Sequence, residues 1–502
     1  MKLTRALPIS LLAGGAFLVA LFVLKTDARM EYDDAVYLTR GLYHAAQVSE
    51  RGNLLLPRLA WSLGFEAPKP PLFHALIALA AMVFGRDHLG AVLVAATLVP
   101  LLALAVAIYA LAREAGSPRA GLLALATYLA MPAALGLGTR LLVETTLAAT
   151  VVGGAFFFFR RARGGGLGDE IGAGVCSGLS LLAKLLGPLF LAPIGALALW
   201  ECWRAEGPRR AGRFLAIAAA AAVFVAGPWY LRNGQAALAF GRYARSQLSC
   251  LYTSPAWMRP LDFVRGSVGL VVVLLLFVLL AREPVASGGP RLLRRMIVCS
   301  AALSGLMIGT QPMFDPRFWL PAAALLAAWS GVALDAVWRG RPSLRWVVAA
   351  PVAALLAVAI GSLLTRPRPE TPWAASRAIE RLATTPAGPP RLCTLGSNPD
   401  WNLEKLRLAI ELSTVRPRPA ASELLVDGKA GGLAGRLERC DVVFALRPDQ
   451  IPSTQNQQAL NVDLAEGWAE LGTQRAFGPN PSLAATLGSR ARPQVFVRRH
   501  DS

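Results

Sequence analysis

Two adjacent carboxylates, Asp33 and Asp34, lie in the segment Glu31-Tyr32-Asp33-Asp34-Ala35-Val36-Tyr37-Leu38, which follows an apolar run and continues into Arg40 and Tyr43. Acids at the exit of a membrane span sit where water reaches them. A solvated acidic loop is therefore the plain interpretation, and a pair available for proton transfer is the chemical one. Farther along, Pro68-Lys69-Pro70-Pro71 holds one lysine between prolines as the chain enters Leu72-Phe73-His74-Ala75-Leu76-Ile77. The prolines fix the backbone on both sides. A lysine at headgroup depth ordinarily snorkels to water; one held this rigidly is also well placed to pair with a phosphate. Lys184 interrupts a long apolar stretch, a costly position unless its ammonium reaches water or a phosphate. Six cysteines without a C-x-x-C pair and four histidines carry no zinc or haem signature, and no convincing G-x-G-x-x-G or P-loop is present. Chemistry then falls to carboxylates and bases, with no cofactor implied and divalent-metal use left open.

These groups need a membrane to position them. A chain of 502 residues, 55% hydrophobic, 16% charged and with mean hydropathy +0.47, cannot hide its apolar surface in an ordinary soluble core. The net charge of +20 would suggest nucleic acid in a soluble protein. Here much of the arginine stands in short clusters between apolar runs, where it orients helices, and nucleic-acid binding is not expected. The run Ala6 to Leu24 follows Lys2 and Arg5 and reads as an uncleaved first helix with a cytoplasmic N-terminus. Later spans are expected near 90–111, 119–138, 143–159, 213–230, 262–281, 295–311, 318–338 and 346–364. The stretch 171–200 is interrupted by Lys184 and Gly187-Pro188 and reads as two short helices meeting at a turn, for about eleven spans in all.

Orientation follows from the arginines. Arg113 and Arg119, Arg160 to Arg163, Arg204 to Arg213, Arg291 to Arg295 and Arg339 to Arg345 fall in alternate loops, which the positive-inside rule assigns to the cytoplasm. The loop 26–89, the turns near Arg140 and Lys184, 231–261, 312–317 and everything after Leu364 are then external. Leu72 to Gly85 is too short to span and reads as interfacial or re-entrant, since a full crossing would put every arginine cluster outside.

After Leu364 the stiff linker Arg366-Pro367-Arg368-Pro369 leads into residues of ordinary soluble texture. Residues 1–365 are expected to form an all-α polytopic membrane domain, and 366–502 a small external α/β domain. Arg391 to Leu395 and Cys440 to Leu446 read as buried strands, and Leu403, Leu406 and Ile410 as one stripe of a helix behind Asn402. Cys393 and Cys440 stand at the starts of the two strands; outside the cytoplasm they are candidates for a disulfide, with two buried thiols the alternative.

The order of an acidic pair, an amphipathic stretch, "NLLLPRL" and "PKPPLFHALIALAAMVFG" resembles the first external loop of the membrane glycosyltransferases that include the protein O-mannosyltransferases and the bacterial lipid A aminoarabinose transferase. Arg140 to Leu147, "RLLVETTL", is similar to that family's second acidic site, and "GLSLLAKLLGP" to its lysine turn. Ala226 to Tyr230 is similar to a helix-ending "PWY", and Arg317-Phe318-Trp319-Leu320-Pro321 to an "RY..P" segment. The chain has Asp33-Asp34 where the family usually has Asp-Glu, and Glu144 where Asp is frequent, so the carboxylates are kept with altered reach.

The resemblance implies the GT-C fold and a donor sugar joined to a polyprenyl phosphate, undecaprenyl phosphate in a bacterial inner membrane. The acceptor is a hydroxyl of a lipid, protein or glycan at the periplasmic face. Such a transfer needs a carboxylate to take the acceptor's proton and cations to offset charge on the departing phosphate. Asp33 is the candidate base, Asp34 a group orienting acceptor or sugar, and Glu144 a ligand for sugar hydroxyls or a holder of a basic partner. Lys69, Lys184, Arg232 and Arg317 fall at expected external helix ends and are the phosphate-binding candidates; Arg317 also has Asp315 as a neighbour to pair with. Tyr37, Arg40, His74 and Arg140 are candidates for substrate contact, although Arg140 equally suits an interfacial anchor, His74 a packing residue, and Trp229 and Tyr230 an aromatic belt. A transporter or lipid flippase is the rival. It would be expected to show inverted repeats and broken helices at the midplane, and no internal repeat is evident.

Overall fold

The computed structural model describes residues 32–49, 59, 63–64, 69–86, 88–131, 134, 140–247, 288–309 and 316–340, and in the C-terminal part 361, 379–380, 390–396, 403–412, 421–424, 433–437, 439–446, 464–473, 477–479 and 493–498. Helix α1 (Tyr32–Ser49) carries the acidic pair and packs on the short α2 (Leu72–Phe84). The bundle continues through α3 (Leu89–Ala115), α4 (Pro118–Leu129), α5 (Val143–Ala162), α6 (Leu167–Ala183), α7 (Gly187–Glu206), α8 (Pro208–Gln247), α9 (Gly289–Gly309) and α10 (Leu320–Gly340), the last preceded by a 3₁₀ turn at Pro316–Trp319. Leu89–Ala115, Val143–Ala162, Pro208–Arg242 and Arg317–Arg339 are long and apolar enough to cross a membrane. The chain is a multi-pass membrane protein. The expected spans at 6–24, 262–281 and 346–364 lie outside the described residues, apart from Gly361.

Local chemistry explains the boundaries. Helix α4 starts where the Ser117 hydroxyl accepts the Ala120 amide (3.2 Å) and Pro118 occupies the first turn. It ends at Leu129, ahead of Pro132, shorter than the span expected to residue 138. Helix α5 has Glu144 in its first turn and Arg160 and Arg161 in its last, each sign opposite to the helix dipole it meets. The expected pair of helices across 171–200 is present as α6 and α7, joined at Lys184–Leu186, where the Gly187 amide donates to the Lys184 carbonyl (3.0 Å). Helix α8 corrects the sequence-based expectation. It does not end at Pro228-Trp229-Tyr230 but runs on to Gln247, because Ala236, Ala237, Leu238 and Ala239 sustain it and the Asn233 amide ties it to the Gly64 carbonyl (2.8 Å). Helices α6 and α8 approach closely at Gly174, where a Cβ would stand 2.3 Å from the Ala218 carbonyl oxygen.

One end of the bundle is laced by ion pairs. Arg161, fully buried, bonds Glu170 (2.9 Å) and Glu206 (2.5 Å), joining α5, α6 and α7, and Arg213 of α8 reaches Glu170 (3.1 Å). Arg163 meets Glu114 (3.7 Å), Arg295 meets Glu201 (3.8 Å), and Arg119 and Arg339 both hold the buried Asp335 (2.7 and 2.8 Å). Arginines from all five clusters therefore gather at the same end, as the positive-inside count requires.

The C-terminal part contains a five-stranded sheet of order β2-β1-β3-β5-β4, with β1 (Leu392–Leu395), β2 (Ala421–Glu423), β3 (Val442–Ala445), β4 (Phe477–Pro479) and β5 (Gln494–Arg498). Strand β1 is parallel to β2 and β3, while β5 is antiparallel to both β3 and β4. Both strands expected from the sequence are present and wholly buried. Helices α11 (Leu403–Leu412), α12 (Leu433–Leu437) and α13 (Leu464–Thr473) accompany them, and Cys393 and Cys440 form a disulfide across β1 and the start of β3.

Two outcomes follow. Replacing Arg161 by Met leaves Glu170 in the bundle with only a half-exposed arginine partner, and the thermal midpoint in detergent should fall by an amount equivalent to about 3 kcal/mol. In the sheet, burial raises the Asp441 pKa, but the Arg391 side chain and amide (3.2 and 2.7 Å) outweigh it and hold the carboxylate below its usual range. That stabilisation is complete above the ordinary value of about 3.9 and is lost as pH falls through the lower folded value. Amide protection factors in β1 and β3, corrected for the intrinsic pH dependence of exchange, should fall below about pH 4 in the wild type, and Asp441→Asn should flatten the dependence.

Candidate active site

The end of the bundle opposite the arginine belt collects the other set of charges. From Glu144 to Arg161 along α5 the rise is about 26 Å, close to the thickness of a bilayer's apolar core. Asp33 and Asp34 lie in the first turn of α1. Asp34 is 1% exposed, and Arg140, just before α5, donates from Nη2 to its Oδ2 at 3.2 Å. Three residues on, Tyr37 packs its ring edge-on against Phe73 (5.2 Å between centroids) and tilted against His74 (5.2 Å). Lys69, from the proline-flanked segment, holds its ammonium 5.0 Å from the Tyr37 ring centre. Tyr37, Gly41, His44 and Val48 share one stripe of α1 by helical spacing. At Gly41 a Cβ would stand 2.4 Å from Ile77 Cγ2, so only glycine allows α2 to seat here.

A second cluster forms around Glu144, 1% exposed. Lys184, at the turn between α6 and α7, donates to Glu144 Oε1 at 2.6 Å, and Arg317 Nε lies 3.6 Å from the same oxygen. Phe318 sits beneath both cations, 4.1 Å from the Lys184 ammonium and 5.5 Å from the Arg317 guanidinium carbon. Arg140 and Glu144 are four residues apart, so the entrance to α5 supplies one partner to each cluster.

Nearly all the candidates read from the sequence fall at this end. Asp34, Tyr37, Lys69, His74 and Arg140 make the first cluster, and Glu144, Lys184 and Arg317 the second. Arg317 turns to Glu144; Asp315 lies outside the described residues. His74 is fully buried against Tyr37, which favours its packing interpretation. Arg40 is half-buried on α1, six residues after Asp34. Arg232 is exposed within α8 and not at a helix end as expected, because the helix does not stop at Tyr230, whose hydroxyl donates instead to the Leu181 carbonyl (2.9 Å). Two members were missed. Phe318 had a signal in its place beside Arg317, and buried His44 had one in lying seven residues after Tyr37, on the same stripe.

Among the described side chains of the two clusters, Asp34 and Glu144 stand against Lys69, Arg140, Lys184 and Arg317, two negative and four positive, for a surplus of two positive charges. With both buried carboxylates neutralised from within, that surplus favours an anion. Among the described residues no group of three or more His, Cys, Asp or Glu converges on a metal position.

Residues 68–230 match the family model of the dolichyl-phosphate-mannose-protein mannosyltransferases, a segment holding Lys69, Arg140, Glu144 and Lys184. The fold is shared with the crystal structure of ArnT from Cupriavidus metallidurans in the apo state, at TM-score 0.61 and 16% identity over 98% of each chain. The same protein bound to undecaprenyl phosphate gives TM-score 0.61 and 14% identity, again over 98% of each. The archaeal oligosaccharyltransferase AglB from Archaeoglobus fulgidus, in complex with an inhibitory peptide and a dolichol-phosphate, gives TM-score 0.51 and 14% identity over 94% of this chain and 72% of that one. No curated protein matches the chain. The family match within the bundle and the shared fold along the whole chain support the glycosyltransferase recognition read from the sequence.

Glu144 and Lys184 should be energetically coupled. In a double-mutant cycle of Glu144→Gln and Lys184→Met read by thermal stability in detergent, the coupling is expected at about 1–3 kcal/mol. Additive effects would mean that the pair does not act as a unit.

Proposed function

We propose that this GT-C glycosyltransferase moves a sugar from a polyprenyl phosphate, undecaprenyl phosphate in a bacterial inner membrane, to an acceptor hydroxyl on the periplasmic face. The observation that carries the reading is the gathering of two buried carboxylates and four cations at the end of the bundle away from the arginine belt, with Asp33 next to one of those carboxylates in the first turn of α1. The disulfide between Cys393 and Cys440 supports an oxidising compartment for residues 366–502, proposed as a separate external domain following a membrane domain of residues 1–365.

In this reading the bond between the anomeric carbon and the phosphate oxygen breaks as the acceptor oxygen bonds that carbon. The acceptor proton passes to Asp33. Asp34 is committed to Arg140, which suits it to orient substrate and not to collect the proton. Lys69, Lys184 and Arg317 offset the charge left on the phosphate, whose lipid tail stays in the bilayer. Glu144 holds Lys184 and Arg317 toward one point, and Phe318 beneath them keeps both side chains from folding away. Arg232 remains a candidate for the outer side of the phosphate, and Tyr37, Arg40 and His74 for walls of the sugar or acceptor site. A phosphate-linked donor fits a site with cations and no nucleotide-binding loop.

Purified protein incubated with radiolabelled undecaprenyl-phosphate-linked sugars and membrane extract should transfer label, and Asp33→Asn should slow transfer by about 10²–10⁴-fold. Equal rates would remove Asp33 as base. Translocation of carrier or solute without transfer would favour a flippase or transporter instead.

A further inference from the structure

Helix α1 is buried on two sides, and α2 accounts for only one of them. The stripe Tyr37, Gly41, His44 and Val48 meets α2 through Phe73, His74 and Ile77. A second buried stripe, Ala35, Leu38, Leu42 and Ala45, repeats at helical spacing and points roughly 100° or more away from the first. Tyr43, facing neither, is exposed. Besides α2, the described element packed most extensively on α1 is α11 from the C-terminal part.

The sequence of α11 serves two partners. Leu406, Ala409 and Ile410 follow the spacing of one face and are buried with Leu392, Val442 and Phe444 of the sheet. Leu408 projects from the opposite side of the same helix by that spacing, is 0% exposed, and is buried with the core of the bundle and not with that of the sheet. Among the described residues of the C-terminal part, Leu408 is the one buried with the core of the bundle, and its helix packs on the helix that begins with the two acids.

We propose that Leu408 is a positioning residue: the C-terminal part acts as a clamp that presses α11 on α1 and, with α2 on the other side, fixes the height and rotation of the turn bearing Asp33. The reason is geometric. A short helix with acids at its first turn has little to hold it in the interface, and a base displaced by about 1 Å loses up to 10²-fold in rate. The sheet supplies rigidity behind α11, and the Cys393–Cys440 bond ties β1 to the entrance of β3 within the cluster on the face of the sheet away from α11. This gives the C-terminal part a catalytic purpose without a ligand of its own, and it rests on the transfer reading above.

The test uses the full-length protein in detergent with Leu408→Ala and Leu408→Met. Amide exchange in α1 should rise at least about tenfold in Leu408→Ala while α3 to α10 keep their protection, and Leu408→Met, similar in volume, should stay near wild type. With an undecaprenyl-phosphate-linked sugar, kcat should fall about 10–100-fold in Leu408→Ala with KM within about twofold, and binding of undecaprenyl phosphate alone should be unchanged. Unchanged α1 exchange, an unaltered kcat, a matching loss of carrier affinity, or loss of protection throughout the bundle would each overturn the clamp. If the wild type transfers no sugar, the transfer reading fails by itself, and the α1 exchange still decides whether α11 holds that helix.

Discussion

A charge inside a membrane bundle must be paired, and this constraint organises the molecule around α5. Its first turn presents Glu144 to Lys184 and Arg317, and its last presents Arg161 to Glu170 and Glu206. Each set draws partners from other helices: α6 and its turn, the approach to α10, and the end of α7. Losing one partner from such a set leaves an uncompensated charge in low dielectric, a far larger penalty than losing an exposed pair. The two layers, separated by most of a bilayer's apolar thickness, therefore fix which helices are neighbours and at what height.

The layers differ in kind. At the arginine belt the pairs spread among eight helices, α3 to α10, and include exposed arginines, an arrangement suited to anchoring. At the other end the cations outnumber the carboxylates and are aimed by aromatic rings, Tyr37 for Lys69 and Phe318 for Lys184 and Arg317. Ring faces guide an ammonium without neutralising it. The neighbouring carboxylates are also differentiated, since Asp34 is committed to Arg140 at 3.2 Å while Asp33 precedes it in the opening turn of the same helix.

Much of this was legible along the chain. The apolar runs, the alternating arginine clusters, the turn at Lys184 and the two buried strands carry their signals locally, in residue type and period. Where the sequence misled, a local signal met a tertiary answer. Pro228-Trp229-Tyr230 has the look of a stop, yet α8 continues because hydrogen bonds from Tyr230 to Leu181 and from Asn233 to Gly64 hold its flank. Arg317 has an acid two residues away in sequence, yet meets Glu144, distant in sequence.

The sequence alone marked this as a membrane protein, and its arginine clusters and its candidate acids and lysines as belonging to opposite ends of the bundle, because hydrophobic length and charge placement act on each segment independently. Tertiary structure alone decided that Asp34 belongs to Arg140, that Glu144 takes Lys184 and Arg317 together, and that Leu408 leaves its own sheet to pack into the bundle. Those pairings join residues up to hundreds of positions apart. Nothing in the period or composition of either partner specifies the other until helix packing brings them within a few ångströms.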